Sequence, residues 1–368
     1  MTPSAPPGAR PHRLVSVASL ALAAAGVVAL FFPLLSGRAV LVRDLLFWVI
    51  PSRGLVRDAW SHGAPVAWNA FEGLGFATAA DPLFMAFYPP NVLTLALPLA
   101  WGTALLLGLH VLLGTLGLYA LARRFNASPP AAAVAGLAWS LAGLTGSELP
   151  TGIRILPAAW IPALCCAAVD LGTAARRGAS PLPAALALGL GGAMMLLTGE
   201  VFVTLMAALP VLGCLCAATR DATAPDAPRP PTVARTLAMG LGLAAPVALG
   251  LSAPSWLPAV RLVSATPRSQ SLSAASRDAW STHPLSLADL VSPNAFADAA
   301  VRSSHPDVLR LFDGSVLFVS VYLGATVLGL ALLGPTRRGG RMARVAWAAA
   351  VLGVLLALGR HQIGRAHV

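Results

Sequence analysis

The chain has 368 residues, of which 57% are hydrophobic and only 11% charged, and its mean hydropathy is +0.75. Soluble domains carry about 25% charged residues, so composition excludes that class and gives an all-α polytopic membrane protein. The net charge of +11 is no nucleic-acid signal, because no basic run alternates with aromatics and the clustered arginines fall in short loops between apolar stretches.

Spanning the hydrocarbon takes about 20 apolar residues as a helix. On that criterion about nine transmembrane helices are expected, near 14–36, 99–121, 130–147, 154–171, 183–199, 201–218, 236–258, 316–334 and 344–360. The 183–218 stretch reads either as two short helices broken at Gly199-Glu200 or as one long helix with a re-entrant piece. The first span exceeds the short apolar core of a cleaved signal peptide, so it is read as a retained anchor. Arg10 and Arg13, Arg123 and Arg124, Arg176 and Arg177, Arg220 to Arg235, and Arg337 to Arg344 occupy alternate loops. By the positive-inside rule these mark the cytoplasm, with the N-terminus on that side of a bacterial plasma membrane. Two long loops, 37–98 and 259–315, then face outward. Eleven of the 14 acidic residues lie on that outer side; only Asp170, Asp221 and Asp226 do not. Cys165, Cys166, Cys214 and Cys216 fall in apolar spans and read as small buried hydrophobes, not as a metal or redox site.

The first outer loop is the most informative stretch. Residues 41–50 carry Leu41, Leu45 and Val49 at helical spacing, with Arg43 and Asp44 off that stripe. Pro51 is expected to interrupt this interfacial helix before a second one, 54–61, in which Asp58 balances Arg57. Asp44 is thereby held at headgroup depth. Trp68, Phe71, Phe76, Phe84, Phe87 and Tyr88 follow among many Gly and Pro residues. That density belongs to an ordered loop rather than a flexible linker. His110, inside the second span, reads as a satisfied bundle histidine, and no P-loop, dinucleotide fingerprint or Ser-His-Asp arrangement is present.

Asp44, Gly63-x-Pro65-x-x-Trp68-Asn69, Ala80-Asp81-Pro82 and Phe87-Tyr88-Pro89-Pro90-Asn91 occur in that order. Further along come Leu156-Pro157-x-x-Trp160-x-Pro162, Thr198-Gly199-Glu200, Pro254-x-Trp256-x-Pro258, Ser292-Pro293-Asn294 and Tyr322-x-Gly324. Together these resemble the YfhO-type bacterial membrane proteins of the GT-C glycosyltransferase superfamily, over about 14–361. The chain departs from that pattern at Leu83, where a polar residue is usual, and at Glu200, where a His is common. The resemblance implies a membrane glycosyltransferase that takes sugar from a polyprenyl-phosphate donor and passes it, on the outer face, to an envelope glycan, lipid or protein. The resemblance implies that an acidic residue of the first outer loop serves as catalytic base or metal-associated acid, and by position that is Asp44.

Inverting transfer needs one carboxylate to take the acceptor proton and positive charge for the leaving phosphate. Arg154 and Arg261 are the expected donor-phosphate ligands, with Arg268 as a rival. Asp81, Glu72, Glu148 and Glu200 are expected to bind acceptor hydroxyls or a divalent cation. Trp68, Asn69, Tyr88, Pro89, Pro90 and Asn91 form the structural loop motif. A transporter or flippase, or a non-catalytic envelope-assembly protein, is the alternative. Residues 362–368 back-translate to a common sequencing adapter. They are therefore expected to be a non-native tail on a C-terminally truncated transmembrane domain, 1–361, which as a fragment is expected to lack activity.

Overall fold

In the computed structural model the described residues are 9–38, 43–220, 230–266, 281–293, 320–334 and 340–361, with the single positions 269, 273 and 295. They form twelve helices and several single-turn elements, and no strand longer than the bridge between Asn69 and Phe76. Among the described residues five helices are long and apolar enough to cross a membrane: Leu14–Leu35 within α1 (Ala9–Leu35), α4 (Leu99–Arg124), α7 (Ile155–Arg177), Val201–Thr219 within α9 (Val201–Arg220), and Thr232–Val263 within α10 (Pro230–Val263). α8 (Leu182–Leu197) and α12 (Gly340–Ala357) are apolar but shorter. This is an all-α membrane protein.

Two expectations about the spans change, and one open alternative is resolved. The stretch 130–147 is not one helix but α5 (Pro129–Leu141) followed by α6 (Gly143–Glu148), separated by Ala142 in extended conformation. The 183–218 stretch takes the two-helix alternative, α8 and α9 broken at Thr198–Glu200. Near 316–334 the described helix is only α11 (Ala325–Leu333), nine residues long. The proposed tail, Arg268 and most of the second outer loop lie outside the described residues.

Ordinary local signals set the helix ends. Ser128 caps α5 by accepting the Ala131 N–H, and prolines follow it in the first turn, where no N–H is needed. α7 closes with Arg176 and Arg177 in its last turn and Gly178 in left-handed backbone. α4 packs on α1, α5 and α7, while α7 and α8 connect that group to α9 and α10. Buried Val27, Leu45, Val49, Met85, Tyr88, Leu106, Leu107, Val111, Ile155, Leu156 and Leu197 make the main core cluster. It therefore joins the first loop to the bundle rather than lying inside the bundle alone.

The first loop is mostly helical. A π turn, Leu45–Val49, runs directly into α2 (Ile50–Ser61). Pro51 does not interrupt this helix, because it stands in the first turn of α2, where a missing N–H costs little. α3 (Val92–Ala96) then leads to α4. Cys216 also departs from the reading of buried cysteines: it is exposed, whereas Cys165, Cys166 and Cys214 are buried.

Candidate functional site at one end of the bundle

Four chain segments meet at the end of the bundle opposite the paired arginines of α4 and α7. The first is the π turn. Its Leu45 N–H donates to Pro150 O at 3.0 Å, and Leu45 packs where a Cβ on Gly152 would stand. That fixes Asp44 beside the 149–154 turn. Asp44 is exposed and its side chain caps nothing.

The second segment is the 149–154 turn with the end of α6. Glu148 is only 3% exposed. Its Oε2 accepts from Thr151 Oγ1 at 2.6 Å and from the Arg154 N–H at 3.3 Å. Its Oε1 faces Arg154 Nη1 at 3.5 Å. The third segment is the α8–α9 break. Glu200 Oε1 lies 3.7 Å from Arg154 Nε, and its Oε2 accepts the Val203 N–H at 2.6 Å, so it also caps α9. Burial pushes the Glu200 carboxyl above the ordinary carboxylate range, and the nearby Glu148 adds to that; the Val203 N–H and Arg154 act against it. Arg154 therefore stands between two buried carboxylates.

The fourth segment is the turn around Asp81. Asp81 Oδ1 accepts the Leu83 N–H at 3.0 Å and so shapes the turn Pro82–Phe84. The backbone of Pro82 rests directly on Gly199: a Cβ there would lie 2.3 Å from the Pro82 carbonyl, and Gly199 has φ of +73°. Both facts require glycine at that position. On the other side of the same turn, Ala80 and the C-terminal half of α10, including Pro254 and Arg261, border an open cavity of about 750 Å³. Asp44, Glu148, Arg154, Glu200, Asp81 and Arg261 are thus brought to one end, linked through the 149–154 and 78–84 turns.

Glu72 is not in that group. It accepts from Asn69 Nδ2 at 3.4 Å on the short hairpin closed by the Asn69–Phe76 bridge. Trp68 of that hairpin stacks over Gly75. The rest of the loop motif is an anchor. Tyr88 is 1% exposed. Trp160 donates to the Tyr88 hydroxyl at 2.9 Å, Tyr88 in turn to His110 Nε2 at 2.5 Å, and His110 Nδ1–H to Leu106 O at 2.7 Å. The bond to Leu106 puts the proton on Nδ1 and leaves Nε2 to accept. Burial raises the Tyr88 hydroxyl above its ordinary range. Pro89 to Asn91 form a single 3₁₀ turn, and Asn91 Nδ2 donates to Met85 O at 2.7 Å. His110 is satisfied inside the bundle, as expected from the sequence.

Two features escaped the sequence reading. Asp58 does not balance Arg57: it faces His62 at 3.5 Å, while Arg57 Nη1 donates to Leu97 O at 3.1 Å. Arg53 is 2% exposed, with Nη2 directed at Met85 Sδ at 3.9 Å and Nη1 lacking a hydrogen-bond partner. Desolvation lowers its pKa to about 10. Its position on the same helical face as Val56 was the available signal. Among the described residues no group of three or more His, Cys, Asp or Glu side chains is disposed to hold a metal ion. Comparison with protein-family models, curated proteins and solved structures gave no match.

Proposed function

We propose that the chain is a membrane glycosyltransferase that moves a sugar from a polyprenyl-phosphate donor to an envelope acceptor on the outer face of a bacterial plasma membrane. Asp44 takes the proton from the acceptor hydroxyl while that oxygen bonds the anomeric carbon and the bond to the donor phosphate breaks. Arg261 supplies positive charge to the departing phosphate from the wall of its cavity. Arg154, engaged by Glu148 and Glu200, holds the two turns in place and stands next in line for the phosphate. Asp81 shapes the acceptor side.

The observation that carries this reading is the tethering of Asp44. An exposed carboxylate with no capping duty is fixed by the adjacent Leu45–Pro150 bond at the end that gathers Arg154, Arg261 and three further acids. The motif order of the first loop supports the same assignment.

A transporter reading draws on one specific observation, the buried carboxylate of Glu200 at the α8–α9 break. Broken helices with charged groups are a transporter device. Assays on membranes containing the chain separate the two. Asp44→Asn should lower sugar transfer from a polyprenyl-phosphate donor by about 10²–10⁴-fold with unchanged membrane insertion. Full transfer in that variant removes Asp44 as the base. Uptake of substrate into vesicles without glycosylated product replaces transfer by transport.

A further inference from the structure

Away from that end-on site, α2 and the Asn69–Phe76 hairpin enclose a second cavity of about 660 Å³, within the size range of small-molecule sites. Phe47, Trp48 and Phe71 give it aromatic walls, and Asp58 and Glu72 give it carboxylates. Phe47 and Phe71 are 78% and 89% exposed, so both rings are available to a ligand.

The polar inventory of this cleft is one-sided. Ser52 donates its hydroxyl to Trp48 O at 2.6 Å. Asn69 accepts the Phe71 N–H at 2.9 Å and directs its amide nitrogen at Glu72. The groups left for a ligand are carboxylate oxygens, which when ionised only accept hydrogen bonds. One of them, Asp58 Oδ1, also faces the exposed His62. Among the described residues no arginine lines the cleft, although α2 carries two. Arg53 turns inward to Met85 and Arg57 to Leu97, so the helix sends its cations away from the cleft and its one carboxylate into it. In a chain of net charge +11, an arginine-free cleft with two acids is a local inversion of sign.

We propose that this cleft binds an alkylammonium group. Such a cation carries donors or a positive methyl shell, and it suits acceptor-only carboxylates and aromatic faces together. A neutral polyol would use the acceptors but gain little from the rings and find no donor for its own oxygens. The site stands independently of the transfer reading, because none of its residues belongs to the Asp44 group.

The test uses the full chain in nanodiscs of phosphatidylglycerol, which has no ammonium headgroup. Choline and ethanolamine are titrated and binding is read by saturation-transfer NMR. The neutral isostere 3,3-dimethylbutan-1-ol serves as reference. Choline should bind about fivefold or more tightly than the isostere, and Phe71→Ala and Glu72→Gln should each weaken it about three- to tenfold. Asp58→Asn combined with Glu72→Gln should abolish it. All three residues are surface-placed, so helical content and thermal midpoint should stay at wild-type values and certify folding. In phosphatidylethanolamine nanodiscs, loss of choline binding identifies the lipid headgroup as the natural source, and persistence identifies a free ammonium. Equal binding of choline and isostere, or full binding in the doubly substituted chain, overturns the proposal. Altered lipid partitioning of Phe71→Ala without altered choline binding also overturns it, in favour of a membrane-inserting tip.

Discussion

The two clefts of the first-loop region use the same residue types in opposite ways. At the bundle end, Glu148 and Glu200 are buried and share Arg154, and each also accepts hydrogen bonds from neighbouring residues. Between α2 and the hairpin, Asp58 and Glu72 line an open cavity with no arginine among its described lining residues. A carboxylate withdrawn from water must be compensated, and its partners then fix the backbone around it. A carboxylate left in water costs little and keeps its acceptors for a ligand. Burial thus separates acids that organise the fold from acids that can serve binding, although nothing in their local sequence does.

Substitutions can break or sharpen this contrast. The largest structural effect is expected at the seam of the buried end. Gly199→Ala places a Cβ against the Pro82 carbonyl at positive φ, and should cost about 3 kcal/mol or more from combined strain and overpacking. Thermal unfolding in detergent measures it; a wild-type midpoint would show that the 78–84 turn does not press on the α8–α9 break. Next comes Glu148→Gln, which keeps the shape but removes charge and one acceptor from a side chain serving Thr151 and Arg154. A loss of about 1–3 kcal/mol is expected. A double-mutant cycle with Arg154→Met should show coupling between the two positions.

Glu200 gives a smaller effect with a definite sign. Its folded pKa is raised above the ordinary carboxylate value of about 4.5 by burial, so between the two values the folded state holds the extra proton. Stability contributed by that proton is present at low pH and is lost as pH rises from about 4.5 through the raised folded value. Glu200→Gln should flatten this part of the stability–pH curve, and an unchanged slope would assign it to another group. The smallest effect belongs to the open cleft. Phe71→Ala and Glu72→Gln should each shift stability by less than about 0.5 kcal/mol. A larger loss for either would mean that the cleft supports the fold as the buried end does.

The sequence carried some of this arrangement and not the rest. Long apolar runs and arginine clusters located the five long helices, because both are local signals. The satisfied state of His110 could be anticipated, since an imidazole inside an apolar helix needs partners. The Glu148–Arg154–Glu200 arrangement could not, because Glu200 comes from a separate turn of the chain. Spacing also misassigned Arg57 and Asp58: adjacent opposite charges look paired, yet neighbouring residues on a helix do not face each other. Pro51 was misread because the preceding residues were taken as a complete α-helix, which made the proline a stop rather than part of a first turn. Arg53 was overlooked because a lone arginine on an interfacial helix ordinarily reaches water, whereas packing of α2 on Met85 and Tyr88 closes that route.

The π turn at Leu45–Val49 has a consequence of its own. A π turn is an α-helical turn holding one surplus residue. Removing any one residue from 45–49 should restore α geometry and swing everything N-terminal to it by roughly 100° about the helix axis. Asp44 would then face a different azimuth while α2, the hairpin and the Tyr88 anchor kept theirs. The Leu45–Pro150 bond sets where this carboxylate stands, and the residue count of the π turn sets which way it faces.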